Sequence, residues 1–173
     1  NYYRGIYLRL SSNNNTLTYI TANYNSLYGI QIDANEKFNR ATNAVASSNN
    51  QEGMRIYNSD NNTLTNITAS NNLQNGIRIG VSSNYNTINN SRIENNTNYG
   101  VYLYSESPDY PTYNTLYNNY INNTNSFYSD SANNLNYWNA SNSTGPNIIG
   151  GPYIGGNYWT TPSHSGWSDT CAD

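Results

Sequence analysis

The sequence predicts an all-β protein: a right-handed parallel β-helix, or solenoid, of about five to six coils with a Trp-rich C-terminal cap. Three observations predict it. A Gly followed by apolar-x-apolar recurs at Gly5-Ile6-Tyr7-Leu8, Gly29-Ile30-Gln31-Ile32, Gly53-Met54-Arg55-Ile56, Gly76-Ile77-Arg78-Ile79 and Gly100-Val101-Tyr102-Leu103, at spacings of 24, 24, 23 and 24 residues. An Asn recurs after each Gly, at Asn15, Asn39, Asn62, Asn86 and Asn114. The composition, with 38 Asn, 20 Ser and 16 Thr in 173 residues, suits a chain that turns sharply several times per repeat, because Asn tolerates the left-handed region and bonds locally to backbone. A disordered polar tract would share the low hydrophobicity but has no need of a period.

The elements follow in order along one repeat. Gly opens a short strand in which alternate side chains face opposite ways. Stacking the copies places Ile6, Ile30, Met54, Ile77 and Val101 in one inward column and Leu8, Ile32, Ile56, Ile79 and Leu103 in a second. The recurrent Asn marks a turn where stacked amides bond from coil to coil. A second strand follows with Leu17, Ala41, Leu64, Ile88 and Leu116, and a third apolar cluster of Ile20, Ile67, Ile93 and Ile121 closes the wall. Helical repeats are disfavoured by so much Asn, Ser and Thr and by the lack of a 3.6-residue stripe. The framework of a leucine-rich repeat is missing.

Two departures stand out. Fourteen residues separate Gly100 from Asn114, against nine or ten in the other copies, so a loop leaves the coil near Ser105–Pro111. The second coil is weak, with Asn35-Glu36-Lys37-Phe38 and the small residues of Ala41–Ala46 in place of larger apolar ones. Residues 1–128 form the coils. Residues 129–173 add a last degraded turn at Asn134-Leu135-Asn136-Tyr137-Trp138, a loop-like stretch from Asn142 to Gly156, and a cap expected from Trp138, Trp159 and Trp167. The N-terminal end has no such cap. With Asn1 in place of an initiator Met and the pattern running by Gly5, a piece or mature segment of a longer chain is expected.

These repeats, with Asn136-Tyr137-Trp138-Asn139 and Gly155-Gly156-Asn157-Tyr158-Trp159, resemble the right-handed parallel β-helix repeat family, in its NosD-like branch of periplasmic copper-binding type. The resemblance covers nearly the whole chain and implies a bacterial or archaeal envelope or surface setting. The ending Ser168-Asp169-Thr170-Cys171-Ala172-Asp173 looks like the start of a Cys- and Asp-rich segment that follows such domains, which would hold a partner for Cys171. The copper label does not transfer by residue. Copper sites use His, Met or Cys, and only His164, Met54 and Cys171 are present, with Met54 in a core column. No cofactor and no metal site is expected.

Charge and composition narrow the function. The net charge is −3 and the seven Lys and Arg form no block, so nucleic-acid binding has little support. No apolar run approaches a membrane span. The lone Cys171 has no nearby base that would make it a nucleophile. Polysaccharide hydrolysis needs two flanking carboxylates, whereas the strand faces offer Asp33 alone, with Glu52 and Asp60 near turns, read as solvated surface acids.

The outward face of the Gly-led strand is the candidate site. One column runs Tyr7, Gln31, Arg55, Arg78, Tyr102, and the next Arg9, Asp33, Tyr57, Gly80, Tyr104. Arg9, Asp33 and Arg55 are placed to alternate in charge, whereas Arg55 and Arg78 are adjacent like charges that call for an anion or acid to relieve them. Tyr and Arg dominate binding hot spots, so Tyr7, Arg9, Arg55, Tyr57, Arg78, Tyr102 and Tyr104 are candidates to hold a glycan or a partner protein. The plain alternative is a solvated face with Tyr chosen for strand propensity. Eight N-glycosylation sequons occur, about the number that the Asn, Ser and Thr content produces by chance. Asn139 and Asn142, in the loop-like tail, are the better acceptors. The reading is a non-enzymatic extracellular or cell-surface module acting as spacer, lattice or filament unit or adhesive face, with end-to-end self-association through the open first coil. The alternative is a carbohydrate-binding or polysaccharide-cleaving module using the Tyr/Arg face.

Overall fold

The computed structural model describes residues 3–130 and 135–170. The coils are built from β1 (Ile6–Leu8) and β2 (Thr16–Thr18), β3 (Ile30–Asp33) and β4 (Arg40–Val45), and β5 (Met54–Tyr57) and β6 (Thr63–Ser70). They continue through β7 (Ile77–Ile79), β8 (Thr87–Asn89) and β9 (Arg92–Glu94), then β10 (Val101–Leu103), β11 (Thr115–Tyr117) and β12 (Tyr120–Asn122). After β13 (Phe127–Ser129) come β14 (Ser143–Thr144), β15 (Tyr153–Ile154), β16 (Tyr158–Thr160) and a single helical turn, α1 (Trp167–Thr170).

Each coil contributes to three parallel faces. The first is a six-stranded sheet in the order β1-β3-β5-β7-β10-β13. Its register sets Ile6, Ile30, Met54, Ile77, Val101 and Phe127 in one column, as the Gly-led pattern predicts. The second face aligns Leu17, Ala41, Leu64, Ile88 and Leu116. From Ile30 to Leu116 these inward residues are at most 1% exposed. An apolar core that runs the length of the solenoid supplies the main driving force for stacking.

The third face departs from the expected column. Ile67 lies opposite Ala44, and Ile93 lies opposite Ala69, so Ile67 and Ile93 belong to different columns. Up to the third coil the bulk sits at Ile67, with Ala46 and Ala69 in the neighbouring column. From the fourth coil that neighbouring column carries Ile93 and Ile121, and Ser91 and Asn119 follow Ile67. Apolar volume is handed across the corner, which keeps the core at close-packed density. The small residues of the second coil are part of this exchange: Ala41, Ala44 and Ala46 are at most 1% exposed, so the coil is closely packed despite its weak pattern.

The corners are made by left-handed residues followed by an inward amide. Asn14, Phe38, Asn61, Tyr85 and Tyr113 have φ of 55–60° and precede Asn15, Asn39, Asn62, Asn86 and Asn114. Aromatic residues are unusual in this region, and their stacked neighbours above and below fix the conformation. The predicted ladder forms and continues into Asn136: each backbone N–H donates to the next Oδ1 at 2.9 Å. A second ladder, which the sequence reading missed, runs through Asn25, Asn49, Asn72, Asn96 and Asn123 at 2.9–3.0 Å. A third joins Ser91, Asn119 and Asn157. The missed signal was the recurrence of Asn four residues before a Gly, as in Asn49 and Gly53 or Asn72 and Gly76.

The excursion near Ser105–Pro111 leaves the coil as predicted, closed by a tight Glu106–Asp109 bridge. Asn136 and Tyr137 extend the coil as expected, with Tyr137 bridging Thr115. Asn134 lies outside the described residues. The stretch from Asn142 to Gly156 is more ordered than a loop, since β14 and β15 pair antiparallel within it. β16 pairs with β12, which brings Trp159 over Ile121. The cap is therefore made by Trp138 and Trp159, in edge contact with each other and, through Trp138, with Phe127. Trp167, expected in the cap, is 82% exposed, because α1 holds it at the margin of the coil and not over the core.

Candidate functional site

The six-stranded sheet presents the predicted row of Tyr and Arg on its outer face. Register places Tyr7 opposite Gln31, Gln31 opposite Arg55, Arg55 opposite Arg78, Arg78 opposite Tyr102, and Tyr102 opposite Tyr128. Stacked strands lie ~4.8 Å apart, so the row spans about 24 Å. Residues just before each Gly add Arg4, Tyr28, Glu52, Asn75 and Tyr99 alongside.

Guanidinium groups and tyrosine rings alternate along this face. Arg9 lies 5.3 Å from the Tyr7 ring centroid, and Arg4 4.5 Å from the same ring. Arg55 sits 4.6 Å from Tyr57 and 5.1 Å from Tyr28, whose hydroxyl accepts a 2.8 Å hydrogen bond from Arg55 Nη1. Arg78 lies 4.1 Å from Tyr104 and 5.5 Å from Tyr102. The Tyr57 ring spreads over Gly80, where an added Cβ would come within 2.6 Å of it. Tyr99 stacks on Tyr128 at 4.9 Å, and Tyr102 touches Tyr99, Tyr104 and Tyr128. Cation–π contacts of this kind, each worth roughly 0.5–1 kcal/mol at exposed sites, hold the long Arg side chains in place.

The carboxylates are distributed differently from the expectation. Asp33 does not alternate with Arg9 and Arg55 as an ion pair. It accepts hydrogen bonds from Gln31 Nε2 at 2.7 Å and Tyr7 at 3.3 Å. Glu52 is not a surface acid: it is fully buried, because it stands beside the Gly-led strand entry. Its Oε1 lies 3.4 Å from Arg78 Nη1, so it relieves part of the repulsion between Arg78 and Arg55. Arg55 has no carboxylate within 4 Å among the described residues, and Nε of both Arg55 and Arg78 is buried without a hydrogen-bond partner. Asp60 pairs with Lys37 at 2.9 Å, on another part of the surface.

Two tyrosines of the row are held in the neutral form. Burial, and the hydrogen bond its hydroxyl donates to Asp130 at 2.8 Å, push the Tyr102 phenol well above its ordinary range. The hydrogen bond to Glu106 pushes Tyr104 up. Asn139 and Asn142 are exposed beside the β14–β15 hairpin. Asn14, Asn66 and Asn95 are exposed too, because the ladder amides of the corners are the residues that follow Asn14 and Asn95 and not the sequon residues themselves.

The architecture is that of a parallel β-helix with a long outer face. The family model described as "Periplasmic copper-binding protein (NosD)" matches residues 1–164, and the chain belongs to this family. No curated protein matches it. Among solved structures the chain is similar to a single and a double mutant of the periplasmic alginate epimerase AlgG, with TM-scores of 0.67 and 0.71. Each is 20% identical, over 78% of this chain and 34% of that one. The A-module of the mannuronan C-5 epimerase AlgE6 of Azotobacter vinelandii is 17% identical over 68% of this chain and 35% of its own, with a TM-score of 0.51. The chain spans about a third of the length of these enzymes, and at such identities the likeness is one of fold.

The residues do not fit the copper of the family description. Met54 is 1% exposed within the core column, and His164 sits in the turn before α1, its backbone N–H bonded to Thr161. Cys171 lies outside the described residues. Among the described residues no three His, Cys, Asp or Glu side chains converge. Among the described residues no helix is long and apolar enough to cross a membrane.

Proposed function

We propose that this chain is a non-enzymatic module of an extracytoplasmic protein, whose six-stranded face holds an extended acidic polysaccharide. The observation that carries the reading is the registered pair Arg55 and Arg78, set among tyrosine rings, with a single carboxylate within 4 Å among the described residues, that of Glu52 on Arg78. An anionic glycan strand supplies the missing counter-charge, while its ring faces lie on Tyr57, Tyr102 and Tyr104. The description of the family as periplasmic supports the location, and the alginate epimerases offer a precedent for polysaccharides on this fold. The non-enzymatic part rests on chemistry. Glu52 is buried against Arg78, Asp33 is engaged by Gln31 and Tyr7, and the raised Tyr102 and Tyr104 are poor proton acceptors at neutral pH.

Binding of polymannuronate and of the neutral polymer dextran, measured by calorimetry at low and moderate salt, tests this reading. Salt-sensitive binding of polymannuronate alone, lost in Arg55→Ala and Arg78→Ala, is expected. Equal binding by those variants, or release of unsaturated or epimerised uronate, overturns it.

A further inference from the structure

We propose a second binding site, separate from the six-stranded face, for a single neutral pyranose ring at the C-terminal end of the solenoid. A cavity of about 580 Å³ opens there, lined by Phe127 and by Trp138, Trp159 and Trp167, which are all the tryptophans of the chain. This volume falls within the usual range of small-ligand sites, ~300–1,000 Å³.

Closing the core does not account for this arrangement. Trp138 and Trp159 already cover the last coil, and Trp167 remains 82% exposed. The segment that carries Trp167 is nevertheless pinned to β16. Ser168 Oγ accepts from the Trp159 backbone N–H at 2.9 Å. The Asp169 carboxylate accepts from the Tyr158 hydroxyl at 2.8 Å, the Thr160 hydroxyl at 2.5 Å and the Gly166 backbone N–H at 2.8 Å. A large apolar side chain is thus held in water next to two others by a built network, which is how a preorganised binding platform looks.

The lining identifies the ligand class. Among the described residues it contains no charged side chain, which disfavours uronates and other ions. Hydroxyls border the aromatic walls: Thr161 and Ser165 line the cavity, and with Ser163 they form a triangle of hydroxyls 2.9–3.1 Å apart, any of which can donate or accept. Thr124 and Ser126 line it too. Flat apolar rings joined to rotatable hydroxyls match a neutral pyranose, whose ring has apolar C–H faces and a hydroxylated rim.

Intrinsic tryptophan fluorescence during titration with methyl glucoside, methyl mannoside, methyl galactoside and methyl N-acetylglucosaminide tests the proposal. Saturable binding of at least one glycoside is expected, weakened at least tenfold by Trp167→Ala and unchanged by Arg55→Ala. Trp167 is too exposed for its loss to unfold the chain, and circular dichroism of the variant checks this. The proposal fails if none of the four glycosides saturates, or if Trp167→Ala binds as tightly as wild type. It fails too if Trp167→Ala only abolishes a concentration-dependent dimer, which would make the cavity a contact between copies. Because Arg55→Ala removes only the sheet-face reading, failure of one site is distinguishable from failure of the other.

Discussion

The side-chain amide of Asn72 fills the space that a Cβ on Gly53 would need: a methyl there would lie 2.7 Å from Asn72 Nδ2 and 2.5 Å from the Ala46 carbonyl oxygen. The same relation joins Asn96 to Gly76 and Asn123 to Gly100. The Gly-led repeat and the second Asn ladder are therefore one device. Gly lets the amide of the next coil reach under the strand, and the amide closes the corner that the strand leaves.

Gly53→Ala should lower the unfolding free energy by about 1–3 kcal/mol, the usual cost of forcing extra volume into a packed interior. Two of the three atoms it meets, the Ala46 and Gly76 carbonyl oxygens, are backbone and cannot swing aside. Urea denaturation measures the loss. Gly156, with nothing within 4 Å of its Cβ position, is the control and should tolerate Ala with a change within about 0.5 kcal/mol.

Position along a ladder should set the cost of breaking it. The Asn72 side chain accepts from the backbone and side chain of Asn49 and donates to the Ala46 carbonyl and to Asn96. Asn72→Ala strands these buried groups, at roughly 1–3 kcal/mol for each left unsatisfied. Asn15, in the first coil, is half-buried and donates to Asn39 and Asn13. Asn15→Ala should cost about 1 kcal/mol or less. Equal losses for the two variants in thermal or urea unfolding would refute a cooperative ladder.

The strand faces were legible because their signal has a short period. The columns through Met54 and through Leu64 follow from spacing alone, as does the outward row from Tyr7 to Tyr102. The third wall was not legible, because its apolar residue changes position between Ile67 and Ile93, and volume compensation between neighbouring columns leaves no fixed offset. Nor could the sequence distinguish Glu52 from a surface acid. Its burial depends on Asn75 and Arg78 of the next coil, 23 and 26 residues on. Trp167 was misplaced for a related reason: a cap predicts large aromatics near the chain end without saying which of them reaches the axis.

Glu52 and the two arginines make a charge cluster whose balance can be tested. Glu52→Gln keeps the shape but leaves Arg78, in register with Arg55, without its acid. A loss of about 1.5–3 kcal/mol is expected, the scale of a hydrogen bond to a charged group. The loss should grow as salt is lowered, since screening no longer moderates the repulsion. The double substitution Glu52→Leu with Arg78→Met removes both charges and should return stability to within about 1 kcal/mol of wild type, as apolar replacement of buried pairs commonly does. Urea unfolding of the two variants over a range of salt separates charge from packing.

Acid should loosen the C-terminal cap before the coils. The hydrogen bond from Thr160 is the main cause holding the Asp169 carboxyl below its ordinary 3.8, with those from Tyr158 and the Gly166 backbone adding to it. A carboxyl with a lowered value in the folded state stabilises it fully above the ordinary value, and that contribution is lost as pH falls through the folded value. The α1 turn should therefore stay docked at pH 5 and release below pH 3.8, while the coils, whose ladders use neutral amides, persist. In Asp169→Asn this acid transition should vanish, with the turn already loosened at neutral pH. Tryptophan emission followed from pH 6 to pH 2 reports it, because Trp159 and Trp167 lie at either side of the Asp169 contacts. An unchanged emission profile in Asp169→Asn would place the origin of the transition elsewhere.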